Sequence, residues 1–173
     1  TLQSTEQERD ALEPHGFVRI PLETGLNIGP VNITLVIGEP HALIDTAMHH
    51  LDNLTQLEAG LASYDIKLED IGEIWLTHPH IDHFGLTGAI VDSSGATVYA
   101  PKLSQSRFDR YLDFWHTDRN AFNNLMEKSG VPSSIVDFIR SAKSTFHTVS
   151  TPFTIDRVLE QDTSYTIAGR HAL

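Results

Sequence analysis

The stretch Thr77-His78-Pro79-His80-Ile81-Asp82-His83-Phe84-Gly85 places three histidines and one aspartate within six residues. Imidazole nitrogen and carboxylate oxygen are borderline and hard donors that suit Zn²⁺, and also Fe²⁺ or Mn²⁺ at a mixed N/O site. At extended spacing His78 and His80 point to the same side, and the turn beyond Pro79 lets Asp82 and His83 swing toward a second point nearby. Four ligands can thus serve two adjacent metals. The chain has no Cys, so any metal must be held by His and carboxylate. A random chain of this composition contains the pattern with a probability of roughly 2 in 1,000. The competing reading is a solvated His-rich loop or an adventitious metal binder. A metal held here would lower the pKa of its water to about 7 and polarise a carbonyl under attack, so no Ser or Cys nucleophile is needed. Asp82 is the candidate catalytic residue, because a carboxylate beside the metals would also accept a hydrogen bond from the attacking water and hold it.

The elements that must position these residues are legible from periodicity. Val31 to Ile37 is rich in β-branched residues, and Ala42 to Ile44 ends at Asp45 after the turn Gly38-Glu39-Pro40, which predicts two short strands. Met48, Leu51, Leu54, Leu57 and Leu61 recur every three or four residues and predict a helix over 48–62 that packs on a sheet. Ile71 to Thr77 reads as a short buried strand running straight into the His-rich turn. A helix near Leu86 to Asp92, then Gly95 and a strand over Ala96 to Ala100, completes an αβ unit. Residues 1–30 are the least regular, punctuated by Pro14, Gly16, Pro21, Gly25, Gly29 and Pro30. Residues 102–146 follow helical spacing to Gly130, then restart at Val131 and Pro132 through about Ala142, which reads as a helical insertion or cap. Short strands return beyond Phe146, with a turn at Glu160-Gln161-Asp162.

His78-x-His80-x-Asp82-His83 resembles the signature of the metallo-β-lactamase-fold hydrolases, which include glyoxalase II-like thioesterases, lactonases and β-lactamases. The resemblance extends backward to Val31-Asn32-Ile33-Thr34-Leu35-Val36 and Ala42-Leu43-Ile44-Asp45-Thr46, which look like the family's opening strands and their Asp. It covers roughly residues 28–100 and, by weaker pattern, 155–170. It implies an α/β protein of the αββα sandwich type, built from two similar halves with the metals at one edge of the paired sheets. By the same resemblance His78 and His80 would bind the first metal and Asp82 and His83 the second, with two zinc ions per complete site. The family's other half supplies a further His in a Gly-His context, an Asp bridging both metals and a last His. No such segments follow here, and the sequence runs through Ala168-Gly169-Arg170-His171-Ala172-Leu173 about where the strand leading to the third His would begin. The expectation is one partial domain over 1–173, the first half of the fold: 28–100 carrying the motif, 102–146 the helical insertion, 147–173 the start of later strands. His171 sits before the expected strand and is not taken as the missing ligand.

Other residues carry two readings each. Asp45 is read first as a cap on the following helix and second as a carboxylate that supports a metal ligand from behind. His49 and His50 open that helix as surface or packing residues, and His41 and His147 fall in a turn and a loop. His116, beside Trp115, reads as a partly exposed helix position before a pocket residue. The aromatic set Phe108, Tyr111, Phe114, Trp115 and Phe122 reads as core before substrate-facing cap.

Composition narrows the function classes. The chain has 173 residues, 40% hydrophobic and 20% charged, enough to bury a core. Its 12 Lys+Arg against 23 Asp+Glu give a formal charge of −11, which opposes binding to a phosphate backbone. No stretch approaches the roughly 20 apolar residues of a membrane span. The first residue is Thr, so an export signal could already have been lost; the expected location is cytoplasmic. The expected function is metal-dependent hydrolysis of an ester, thioester, lactone or amide of a small-molecule substrate, with this segment alone weakly active or inactive. The rivals are a mononuclear iron sulfur dioxygenase on the same scaffold, and a non-catalytic metal- or partner-binding domain whose open sheet edge drives homodimerisation.

Overall fold

The structure, a computed structural model, describes residues 12–25, 29–50, 52–109, 119–137 and 149–172. Its centre is a six-stranded sheet in the order β1 (Phe17–Leu22), β2 (Val31–Val36), β3 (His41–Ile44), β4 (Ile71–Trp75), β5 (Thr97–Pro101), β6 (Arg157–Leu159). The first three strands meander antiparallel, and β3 through β6 are parallel neighbours. Parallel pairing needs crossovers. The first contains α1 (Asn53–Ala62), and the second contains α2 (Ile81–Phe84) and α3 (Thr87–Ser94). After β5 the chain enters α4 (Lys102–Asp109) and α5 (Arg119–Lys128), with a further helical turn over 133–137.

Alternation along β2 explains how the sheet acquires two faces. Val31, Ile33 and Leu35 point into the main core with Leu43, Ile74 and Val98. The helices cover this side: Leu57 and Leu61 of α1 and Ile90 of α3 are buried in the same cluster. Val36, Ala42 and Trp75 face the other way and form a smaller cluster with Ala168. There Trp75 stacks on Tyr99 with centroids 4.0 Å apart. A two-stranded sheet of β7 (Tyr165–Ile167) and β8 (Arg170–Ala172) contacts this second face. The Glu73 carboxylate fixes it there by accepting from Trp75 Nε1 at 2.9 Å and from the Ala168 backbone N–H at 3.1 Å.

Several expectations are corrected by the structure. The irregular first thirty residues contain β1, whose Val18, Ile20 and Leu22 alternate inward. Pro21 hid the strand, and it is tolerated because β1 is the edge of the sheet. The helix expected from Met48 starts at Asn53, because Asp45 and Ala47 adopt positive φ of 63° and 73° and carry the chain through a bend first. His49 and His50 therefore lie exposed in the loop before α1 instead of opening it. His41 is not a turn residue: it opens β3, and its Nδ1 accepts from the Gly38 N–H. Of the insertion, Tyr111, Phe114, Trp115, His116 and the expected helix end near Ala142 lie outside the described residues, as do His147 and the Phe122 side chain. Phe108 is core, edge-on to Phe84 at 5.4 Å and to Phe153 at 6.1 Å.

Candidate metal centre

Because β3 and β4 are adjacent and parallel, with Ile44 opposite Trp75, the loops leaving their C-terminal ends run side by side. The Asp45 N–H donates to Trp75 O at 3.0 Å, extending the pairing by one residue. The left-handed turn at Asp45 then aims its carboxylate, 5% exposed, at the neighbouring loop. Asp45 Oδ1 accepts from the Thr77 N–H at 2.9 Å, and Oδ2 accepts from Thr77 Oγ1 at 2.8 Å and meets His83 Nδ1 at 2.7 Å. The capping reading of Asp45 is thereby overturned. The residue preceding α1 is Asp52, and Asp45 instead holds His83 from behind.

The His-rich loop is fixed at its far end as well. His80 is the extended residue before the single turn of α2, which carries Asp82 and His83. The His83 carbonyl accepts from the Thr46 N–H at 2.8 Å, and the Ala47 carbonyl accepts from the Leu86 N–H at 2.9 Å. Residues 149–152 cross the same joint: the Gly85 carbonyl accepts from the Thr151 N–H at 3.1 Å, and Val149 O accepts from the His49 N–H at 2.8 Å. Thr151 Oγ1 in turn accepts from the Ala89 N–H. Glycine is required at position 85, because a Cβ there would lie 2.5 Å from Val149 O and 2.7 Å from Met48 Cα.

Within this frame the four residues singled out from the sequence come together in two pairs. His78 Nε2 lies 2.9 Å from His80 Nδ1, and His83 Nε2 lies 3.6 Å from Asp82 Oδ2. The His78 ring bridges the pairs, 4.6 Å from the His80 ring and 4.1 Å from the His83 ring between centroids. Ligand atoms of Asp45, His78 and His83 all fall within 4.8 Å of one another. His171 lies in β8, where its backbone pairs with Thr166 of β7.

The environment treats the imidazoles differently. Burial, then the neighbouring His83 and His80, lower the pKa of His78 below its ordinary 6.5, against the pull of Asp45 and Asp82. The hydrogen bond to Asp45 raises that of His83, with burial opposing and the charges of Asp45 and Asp82 assisting. A metal ligand must offer a lone pair, and the depressed His78 offers one at neutral pH. His83 meets a carboxylate through Nδ1 and keeps Nε2 for another partner, the arrangement found behind metal-bound imidazoles. This N/O donor set fits a borderline cation such as zinc.

Sequence reasoning did not give Thr77 a part in the site. The available signal was a hydroxyl residue at the end of one parallel strand, directly before His78, with an Asp at the end of its neighbour.

The metallo-beta-lactamase superfamily profile matches residues 26–122, more than half of the chain. The chain belongs to the metallo-beta-lactamase superfamily. Its relative "Probable metallo-hydrolase YqjP" of Bacillus subtilis (strain 168) is 32% identical over 118 residues, which cover 66% of this chain and 35% of that protein. The metallo-beta-lactamase family protein TTHA1429 from Thermus thermophilus superposes with a TM-score of 0.73 at 25% identity, covering 91% of this chain and 50% of that one. BJP-1, a subclass B3 metallo-beta-lactamase of Bradyrhizobium japonicum, shares the fold at 16% identity and a TM-score of 0.56, over 88% of this chain and 45% of its own. This superfamily member thus spans half or less of the length of these relatives. Among its described residues no helix is long and apolar enough to cross a membrane.

Proposed function

We propose that this chain carries the metal-holding part of a metal-dependent hydrolase that cleaves an ester, thioester, lactone or amide of a small molecule, with two zinc ions in the complete site. The observation that carries the reading is the cluster of Asp45, His78 and His83, whose ligand atoms lie within 4.8 Å of one another, with His80 against His78 and Asp82 beside His83. His78 and His80 would hold one ion, and Asp82 and His83 the other. Zinc bound there would supply an ionised water and a polarised carbonyl. Asp82 would accept a hydrogen bond from the water and orient it. Asp45, tied to Thr77, would keep the His83 ring in place.

Each ion has two ligands in this set, fewer than the three protein ligands usual for catalytic zinc. The 173 residues alone are therefore expected to bind metal loosely and to turn over slowly or not at all. The test is elemental analysis of the protein together with a panel of chromogenic ester, thioester, lactone and β-lactam substrates. Zinc taken up from excess, with any hydrolysis abolished by chelation and restored by zinc, supports the reading. One iron per chain with oxygen-dependent oxidation of a persulfide would replace it with the dioxygenase. Hydrolysis that survives both chelation and His78→Ala would overturn it.

A further inference from the structure

We propose that Asp45 sets the tautomers of two imidazoles at once, His83 directly and His78 through the Thr77 hydroxyl, which makes Thr77 a positioning residue for the metal centre. Proton counting along the contacts leads there. The Thr77 hydroxyl has one hydrogen and lies 2.8 and 3.1 Å from the two Asp45 oxygens, and 2.9 Å from His78 Nδ1. A carboxylate can only accept. The hydroxyl hydrogen therefore goes to Asp45, and the contact with His78 is made by a proton on His78 Nδ1 that the hydroxyl oxygen accepts. His83 Nδ1, at 2.7 Å from Asp45 Oδ2, carries its proton for the same reason. Both rings are left with a bare Nε2.

The contact between His78 Nε2 and His80 Nδ1 at 2.9 Å then needs the proton on His80. Donors run in one direction, from His80 to His78 to Thr77 to Asp45, and a chain of aligned hydrogen bonds polarises each member. The Thr77 N–H on Asp45 Oδ1 ties the backbone of Thr77 to the same carboxylate that holds its hydroxyl. His80 is the member that must turn its N–H aside before His78 Nε2 is free for a cation.

The consequence for metal binding rests on the proposed metal-centre reading, whereas the tautomers belong to the metal-free protein, so the two are tested apart. Long-range ¹H–¹⁵N spectra of histidine rings in the metal-free protein, under mildly alkaline conditions, should show His78 and His83 protonated on Nδ1. His78 protonated on Nε2 would overturn the proposal, because the hydroxyl would then be pointing at the ring. Thr77→Val, which keeps the shape and removes the hydroxyl, should give His78 a mixture of tautomers and weaken zinc and Co²⁺ affinity by about 10- to 100-fold in chelator competition. Thr77→Ser should restore both. A Ser variant as weak as Val, or a Val variant unchanged in tautomer and affinity, would overturn it. If Thr77→Val does not fold, the wild-type spectrum and the Ser variant still decide. Wild-type protein that shows the expected tautomers but takes up neither metal even from a large excess would support the relay and refute the metal-centre reading.

Discussion

Gly85→Ala tests whether the joint between α2 and α3 is as tightly closed as its contacts indicate. A Cβ at this position would lie 2.5 Å from Val149 O, 2.7 Å from Met48 Cα and 2.8 Å from His49 N. These are far inside the ~3.3 Å of close C···O approaches. All three are backbone atoms, and they belong to two segments that are themselves joined by the His49 N–H to Val149 O bond of 2.8 Å. No side chain can swing aside. Relief requires the segments to part by something approaching an ångström, which endangers that bond and the Thr151 N–H to Gly85 O bond. Overpacking of this kind costs about 1–3 kcal/mol, and one weakened backbone hydrogen bond adds about 1 kcal/mol. The expected loss is therefore about 2–4 kcal/mol. With a urea m-value of about 2 kcal/mol/M, the midpoint of the metal-free protein should fall by about 1–2 M. Gly95→Ala is the control, since φ is +70° there but a Cβ would meet nothing within 4 Å. It should cost only about 1 kcal/mol. A Gly85→Ala protein no less stable than Gly95→Ala would refute the account of the joint.

Three further outcomes are expected. Asp45→Ala should lower stability by about 2–3 kcal/mol, because it removes the shared acceptor of the Thr77 N–H, the Thr77 hydroxyl and His83 Nδ1, each of which water can only partly replace. Urea unfolding checks this, and a loss under about 1 kcal/mol contradicts it. Because His83 has a raised folded pKa, its contribution should be fully present below its ordinary value of 6.5 and decline as pH rises through the folded pKa. The free-energy difference between wild type and His83→Gln, followed across pH without metal, isolates it from the opposite tendency of His78; a difference that grows with pH would be inconsistent. Phe84→Ala should cost about 3–5 kcal/mol, since the ring is 2% exposed and packs against Phe108 and Phe153; calorimetry or urea melts read the loss, and a loss under about 1 kcal/mol contradicts it.

Period-two alternation in Val31–Val36 and the apolar run before Thr77 were enough to place β2 and β4 from sequence, because burial on a sheet face writes itself into every second residue. The spacing of His78, His80, Asp82 and His83 likewise singled out the turn in which His78 meets His80 and His83 lies beside Asp82. The function of Asp45 was not legible. It depends on two left-handed residues, Asp45 and Ala47, at positions with no glycine to announce them. The same bend displaced the start of α1 from Met48 to Asn53. The clamp of residues 149–152 on this joint was hidden for another reason: its backbone bonds, Thr151 N–H to Gly85 O and His49 N–H to Val149 O, join residues distant in sequence through groups that any sequence possesses. Local periodicity carries no trace of such a contact.

The placement of the site follows from strand direction. Where neighbouring strands run parallel, their carboxyl ends open on the same edge of the sheet, and ligands of open α/β sheets bind in the crevice outside those ends. Here β3 delivers Asp45 and β4 delivers Thr77 and His78 to one edge, one residue and two or three residues beyond the last paired positions Ile44 and Trp75. Groups so close to the end of a strand inherit its rigidity, which a site needing sub-ångström placement demands. His83 lies further out and lacks that support from its own strand. It is secured from two sides instead, by the Asp45 carboxylate on its ring and by the Thr46 N–H on its carbonyl. Both contacts come from adjacent residues of the loop after β3. That loop therefore acts as the template on which the imidazoles are assembled, and a substitution there should disturb His83 as surely as one in the His-rich turn itself.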